Sequence, residues 1–176
     1  MSLAVTLRTE TVAIILDQDK AEHINQLGIR LAQASTAEPT TETGSNPLAS
    51  GLAKQIEQAS KDAMPQTLEL TLRALPLSKW QQCVISNTNT SGPMRGTQDM
   101  LGTAKTALAQ MIVSATLAGQ PADDEDLTPD ALGNLLDQLT DGQFTPLWQA
   151  INRLNGTAAD PKAATDLASK VLHRNS

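Results

Sequence analysis

At residue 139 one amphipathic helix ends, and at residue 140 the next begins. Leu132, Leu135, Leu136 and Leu139 recur at i, i+3, i+4 and i+7, the spacing that places side chains on one helix face. Thr128-Pro129 opens that helix. A threonine suits the N-cap, and proline suits the first helical position, where its missing N–H costs nothing. Thr140-Asp141-Gly142-Gln143 then fits a capping box, in which the glutamine side chain reaches back to the N-cap N–H. Phe144, Leu147, Trp148, Ile151 and Leu154 share one face of the second helix, which closes on Asn155-Gly156, a C-cap signal. Two apolar stripes separated only by a capping box predict a tight αα-hairpin. A chain with such a segment has to fold around packed helices.

The kind of side chain available points the same way. Hydrophobic residues make up 40% of the 176 residues, but aromatics only 2%. Trp80, Phe144 and Trp148 are all of them. The core must be aliphatic and alanine-rich, which suits helix on helix. Such a core is also marginal, because each aromatic side chain buries a large apolar area. The length fits one domain, or a domain with an appended arm.

Thr11-Val12-Ala13-Ile14-Ile15-Leu16 reads as a short strand, since β-branched residues dominate it. Asp17 or Asp19 can cap a helix over 20–34, where Ile24, Leu27 and Leu31 recur at helical spacing. Residues 35–50 are rich in Thr, Ser, Glu, Pro and Gly, and read as a flexible linker. A helix over 48–63 follows, with Leu52, Ile56 and Ala59 on a narrow stripe and Pro65 as its stop. Leu68, Leu70 and Leu72 alternate with Glu69, Thr71 and Arg73, a half-buried strand able to pair with the first. A helix is expected from Pro76 through Trp80 to Ile85, a loop over 86–97, and one long helix over 99–118. Beyond the hairpin, 161–172 reads as a last helix.

The expected fold is therefore mostly α (α+β): a small helical bundle with a short two-stranded β element. Its expected organisation is an N-terminal strand–helix arm (1–34), a flexible linker (35–50), a helical core domain (51–156) and a C-terminal helix or tail (157–176).

The net charge of −6 and a pI of about 4.8 argue against nucleic acid and against an anionic membrane surface as partners, since both need clustered Lys and Arg. No apolar run approaches the roughly 20 residues that span a bilayer, and 12–16 is too short for a signal peptide, so a cytoplasmic location is expected. Cys83 is the one cysteine. It leaves no internal disulfide and reads as a small buried apolar residue.

The sequence shows no catalytic constellation. His23 and His173 lie far apart in sequence, neither beside a patterned nucleophile, and both read as surface histidines. There is no Gly-rich phosphate loop, no Gly-x-Ser-x-Gly and no Cys/His metal spacing. Asp123 to Asp130 holds five carboxylates but lacks the glycine and distal glutamate of a calcium loop. It reads as a solvated stretch favouring the positive end of the next helix. The second hairpin helix carries Arg153 as its only cation, which argues against its use as a DNA-reading helix. The expectation is a non-enzymatic protein with no catalytic residues, no cofactor and no metal.

Three pieces stand in a fixed order: a strand ending in Leu16-Asp17; Leu72-Arg73-Ala74-Leu75-Pro76 leading into a helix with Trp80; and Leu139-Thr140-Asp141-Gly142-Gln143-Phe144 running through Leu147-Trp148 to Asn155. In that order they resemble the tail assembly chaperones of long-tailed bacteriophages, especially those infecting actinobacteria. The resemblance spans residues 11–155. The loop over 87–97 departs from it, lacking the acidic and Phe-Pro features of such proteins. The resemblance implies a protein that binds the largely helical tape measure protein, keeps it soluble while tail tube subunits polymerise, and is absent from the mature virion. It also implies the host cytoplasm as location, and allows the major tail tube protein, a longer frameshifted form of the chain and a homo-oligomer as further partners. From another class, a structural tail-completion or connector component of the virion is the alternative. The residues expected to touch a partner are Phe144, Leu147, Trp148 and Ile151. For any one stripe, packing of the domain's own core is the competing account.

Overall fold

A computed structural model describes residues 5–36 and 46–156. Its centre is an antiparallel sheet. β1 (Thr9–Ile15) and β2 (Thr67–Arg73) pair along their whole length, from Thr9 opposite Arg73 to Ile15 opposite Thr67. Because side chains alternate across a strand, this register stacks Val12 on Leu70 and Ile14 on Leu68 on one face. The opposite face is polar: the Thr11 and Thr71 hydroxyls meet at 3.2 Å, and Glu69 and Arg73 are exposed. Both expected strands thus form, and pair as expected.

Among the described residues the sheet has four strands, not two, in the order β1-β2-β3-β4. The long helix expected over 99–118 ends early: α4 is Met100–Met111, and Ile112–Leu117 is β3. The reason is competition for the second edge of β2. Ile112, Val113 and Thr116 are β-branched and stiff in a helix, whereas on β2 they extend the sheet and bury Ala115 opposite Leu70. The ladder slips between Thr71 and Leu72, where β3 begins. β3 turns into β4 (Gln120–Pro121) through Ala118 at φ 54° and Gly119 at φ 77°. Two left-handed residues are what a tight hairpin demands.

The expectation of a bundle is corrected as well. α4, α5 (Pro129–Gln138) and α6 (Asp141–Asn155) lie on the apolar side of the sheet and share one core with it. Leu70, Leu72, Leu108, Met111, Leu132, Leu147 and Ile151 are its largest fully buried side chains. α5 and α6 join directly, with Leu139 and Thr140 as successive caps. Yet α5 packs chiefly on α4, and α6 on β1 and α4. The sheet, rather than the neighbouring helix, takes most of α6's apolar face. The N-terminal signal of α5 is present as expected: Thr128 Oγ1 accepts from the Ala131 N–H at 3.3 Å, with Pro129 beside it. α3 (Leu77–Ser86) starts after Pro76 and buries Cys83 against α4.

Between β1 and β2 the chain leaves the sheet as a helical hairpin. α1 (Gln18–Thr36) and α2 (Pro47–Ala63) pack on each other around Leu27, Ala34 and Leu52, a cluster separate from the main core. Asp17 caps α1, accepting from the Lys20 N–H at 3.1 Å. Asn46 serves both helices: Oδ1 accepts from the Ala49 N–H at 3.1 Å, and Nδ2 donates to the Ala34 carbonyl at 2.7 Å. At the base, Lys20 Nζ donates to the Asp62 carbonyl at 3.0 Å and to Gln66 Oε1 at 2.6 Å. A 3-10 turn, Met64–Gln66, carries Pro65 and ends α2. Of the segment expected as a linker, 35–36 belong to α1, Asn46 is a cap and 47–50 open α2. Residues 37–45 lie outside the described residues, as does the helix expected over 161–172. The sheet joins β1, from 1–34, to β2, from 51–156.

Candidate partner-binding groove

The start of α6 is held by one buried side chain. Gln143 Oε1 accepts from the Thr140 N–H at 3.0 Å, the glutamine half of the capping box. Its Nε2 donates to the Ile15 carbonyl at 2.7 Å and the Leu16 carbonyl at 3.2 Å. The other end of α6 is tied by Asn155, whose Oδ1 accepts from the Leu75 N–H at 2.7 Å. At the same end Arg153 donates to Glu10, which raises the arginine's pKa. α6 is therefore fixed at both ends to β1 and to the segment after β2, and what its exposed side presents is set rigidly.

That side carries Phe144 and Trp148. They stand at i and i+4, so their rings stack, with centroids 6.2 Å apart and planes 16° apart. Both are partly buried against the core. Leu147 and Ile151, the other two residues expected to contact a partner, are fully buried. The four residues therefore divide: Leu147 and Ile151 pack the core, and Phe144 and Trp148 reach the surface.

The surface they reach is an open groove of about 750 Å³. Its walls are the loop before α4, the first turn of α4, the end of α5 and the first two turns of α6. Met94, Met100, Leu101 and Leu139 line it together with the two rings. Met94 is 61% exposed, Met100 54% and Leu101 36%, so they line the groove with the two rings without being absorbed into the core.

The loop is not slack. Thr88 bridges to Gln98. Asn89 N–H donates to the Thr97 carbonyl at 2.9 Å and Gly96 N–H to the Asn89 carbonyl at 2.8 Å. Gly92 and Gly96 take left-handed φ of 72° and 84° to close the turn. Thr97 Oγ1 donates to the Met94 carbonyl at 2.6 Å. Asp99 then caps α4, accepting from the Gly102 N–H at 2.9 Å.

The groove's charge is one-sided. Asp99, Asp137 and Asp141 line it, and among the described residues no Lys or Arg does. Lys105 offsets Asp137 from outside the lining, at 2.6 Å. Such a surface can hold an apolar partner and favour cations at its margin.

Met94 and Met100 escaped the sequence reading because they sit in a polar loop and at a helix start, and Leu101 reads there as one of the apolar residues of the helix over 99–118, with Leu108 and Met111, not as part of a surface site. Their signal was there to find: three large apolar residues within eight positions, among Asn, Thr, Ser and Gly. Elsewhere, burial pushes the Cys83 thiol pKa up, and Gln110 Nε2 lies 3.5 Å from its sulfur. His23 lines a shallow depression between α1 and α2 with Asp19, Lys20 and Asp62, and His173 lies outside the described residues. Among the described residues no group of three His, Cys, Asp or Glu side chains is placed to hold a metal ion, and no helix is long and apolar enough to cross a membrane. No family model, no curated protein and no solved structure matches the chain.

Proposed function

We propose that this chain is a non-enzymatic tail assembly chaperone of a long-tailed bacteriophage, which binds the tape measure protein and keeps it soluble until tail tube subunits enclose it. One observation carries the reading: the residues of the family-like pattern both build a single structural unit and leave an apolar groove open. The end of β1 is bonded to Gln143, and Leu75 to Asn155. The three pieces of the resemblance are thus joined across the fold, 128 and 80 positions apart in sequence. From that unit Phe144 and Trp148 emerge under Met94 and Met100. A holding chaperone needs a surface of this sort. Methionine side chains adapt to varied apolar partners, and an open groove releases its occupant more readily than a closed pocket does.

Co-expression with the neighbouring tape measure protein is the test. The account expects more of that protein in the soluble fraction and a co-purifying complex. It also expects the chain to be missing from purified mature tails. Failure of the two proteins to co-purify, with no change in solubility, refutes the reading. So does recovery of the chain from finished particles in fixed copy number, the behaviour of a tail-completion or connector component.

A further inference from the structure

We infer that the groove under Met94 and Met100 takes one face of an amphipathic α-helix whose flanking positions are Lys or Arg. The inference rests on the chaperone reading for the source of that helix, the client protein, but its chemistry comes from the groove. The floor is the stacked pair Phe144 and Trp148, and the lips are Met94, Met100 and Leu101, all apolar and partly or largely exposed. Such a lining suits the side-chain ridge of a helix. A peptide that adds as a strand would need a free sheet edge for its backbone bonds, and among the described residues no strand of the sheet lines the groove.

The flanking charge follows from complementarity. Among the described residues the lining holds three carboxylates and no cation. Asp99 is the N-cap of α4, bonded to the Gly102 N–H, and Asp141 sits in the first turn of α6, so the backbone holds both in place at the rim. Lys105 satisfies Asp137 only. A basic flank meets Asp99 and Asp141, whereas an acidic one is repelled. The same charges disfavour a second copy of this chain, which carries a net charge of −6.

The test uses the full chain carrying Trp80→Phe, so that Trp148 is the single fluorophore. It is titrated with a helical peptide of about 18 residues, long enough for five turns, with a Leu/Ala stripe and Lys/Arg on the remaining face. A matched peptide carries Glu in their place. The expected result is a saturable blue shift of Trp148 emission with the basic peptide. Binding should weaken with added salt and be at least roughly tenfold weaker for the acidic peptide. Met100→Glu, at an exposed position, should abolish it without lowering the melting temperature. Calorimetric titration of the unmodified chain with both peptides gives the same comparison without a tryptophan change.

Equal affinity for the two peptides, binding unaffected by Met100→Glu, or self-association through this face in sedimentation each overturns the inference. The two levels separate cleanly. If Met100→Glu still co-purifies with the tape measure protein as the unmodified chain does, the groove assignment fails and the chaperone reading stands. If the unmodified chain does not co-purify either, the chaperone reading itself fails.

Discussion

The sheet with its covering helices and the α1–α2 hairpin are made of the same aliphatic material, but they bury it differently. In the body, nineteen buried residues drawn from β1 to α6 form one cluster. In the hairpin, Leu27, Ala34 and Leu52 form the buried cluster, flanked by half-buried Leu31, Ala49, Ile56 and Ala59. A body residue such as Leu70 touches neighbours far away in sequence, whereas the hairpin's contacts are between two helices joined by one short connection. The body should therefore unfold as a unit and the hairpin should open at lower free energy, as regions with few buried contacts do. A groove that must keep its shape belongs on the body, and that is where Phe144 and Trp148 are.

The comparison can be broken most directly by matched truncations. Leu147→Ala empties a fully buried body site and should cost about 2–5 kcal/mol, read as a lower urea midpoint for the whole protein. Leu52→Ala in the hairpin should cost about 2 kcal/mol, the low end of that range, because a two-helix site can collapse around the gap. Its mark should be lost helicity with unchanged labelling of the buried Cys83. If Leu52→Ala accelerates Cys83 labelling as much as Leu147→Ala does, the two regions are one cooperative unit.

Gln143→Ala should cost about 1–3 kcal/mol, since it strands the Ile15 and Leu16 carbonyls and the Thr140 N–H. Thermal melts measure the loss, and Gln143→Glu should not restore stability, because a carboxylate cannot donate to those carbonyls. Asn46→Ala removes a double cap and should cost about 1 kcal/mol. Amide exchange should show the loss in α1 and α2 and leave β2 untouched. The smallest effect concerns Cys83. Burial raises its pKa above the unfolded value of about 8.5. Its contribution is complete below that unfolded value and disappears as pH rises through the folded one. Urea midpoints at about pH 7 and pH 9.5 should differ less in Cys83→Ala than in the unmodified chain. An equal drop in both would mean that the thiol does not sense burial.

Local signals were readable wherever one element specified its own ends. Thr128-Pro129, the glutamine of the Thr140 box and the Leu68–Leu72 alternation all carry their geometry in a few adjacent residues, and each is present in the fold. What local sequence could not show was competition. Residues 112–117 continue a helical run, and only the free edge of β2 turns them into a strand. The return at Ala118-Gly119 lacks the Asn-Gly or Asp-Gly pair that usually advertises such a turn. The same limit applied to the groove. Phe144 and Trp148 were legible as a stripe shared with Leu147 and Ile151, but the split between core and surface depends on β1 lying under α6. Met94 and Met100 join the site only because the loop before α4 and the first turn of α4 form its wall.

Hydrogen exchange of the chain alone and in complex with the tape measure protein tests the central claim most directly. The account predicts that amides at 88–101 and 140–148, around Met94, Met100, Phe144 and Trp148, exchange more slowly in the complex, while those of α1 and α2 keep their rates. Slowing confined to α1 and α2, with the groove unchanged, would contradict it and move the client to the hairpin.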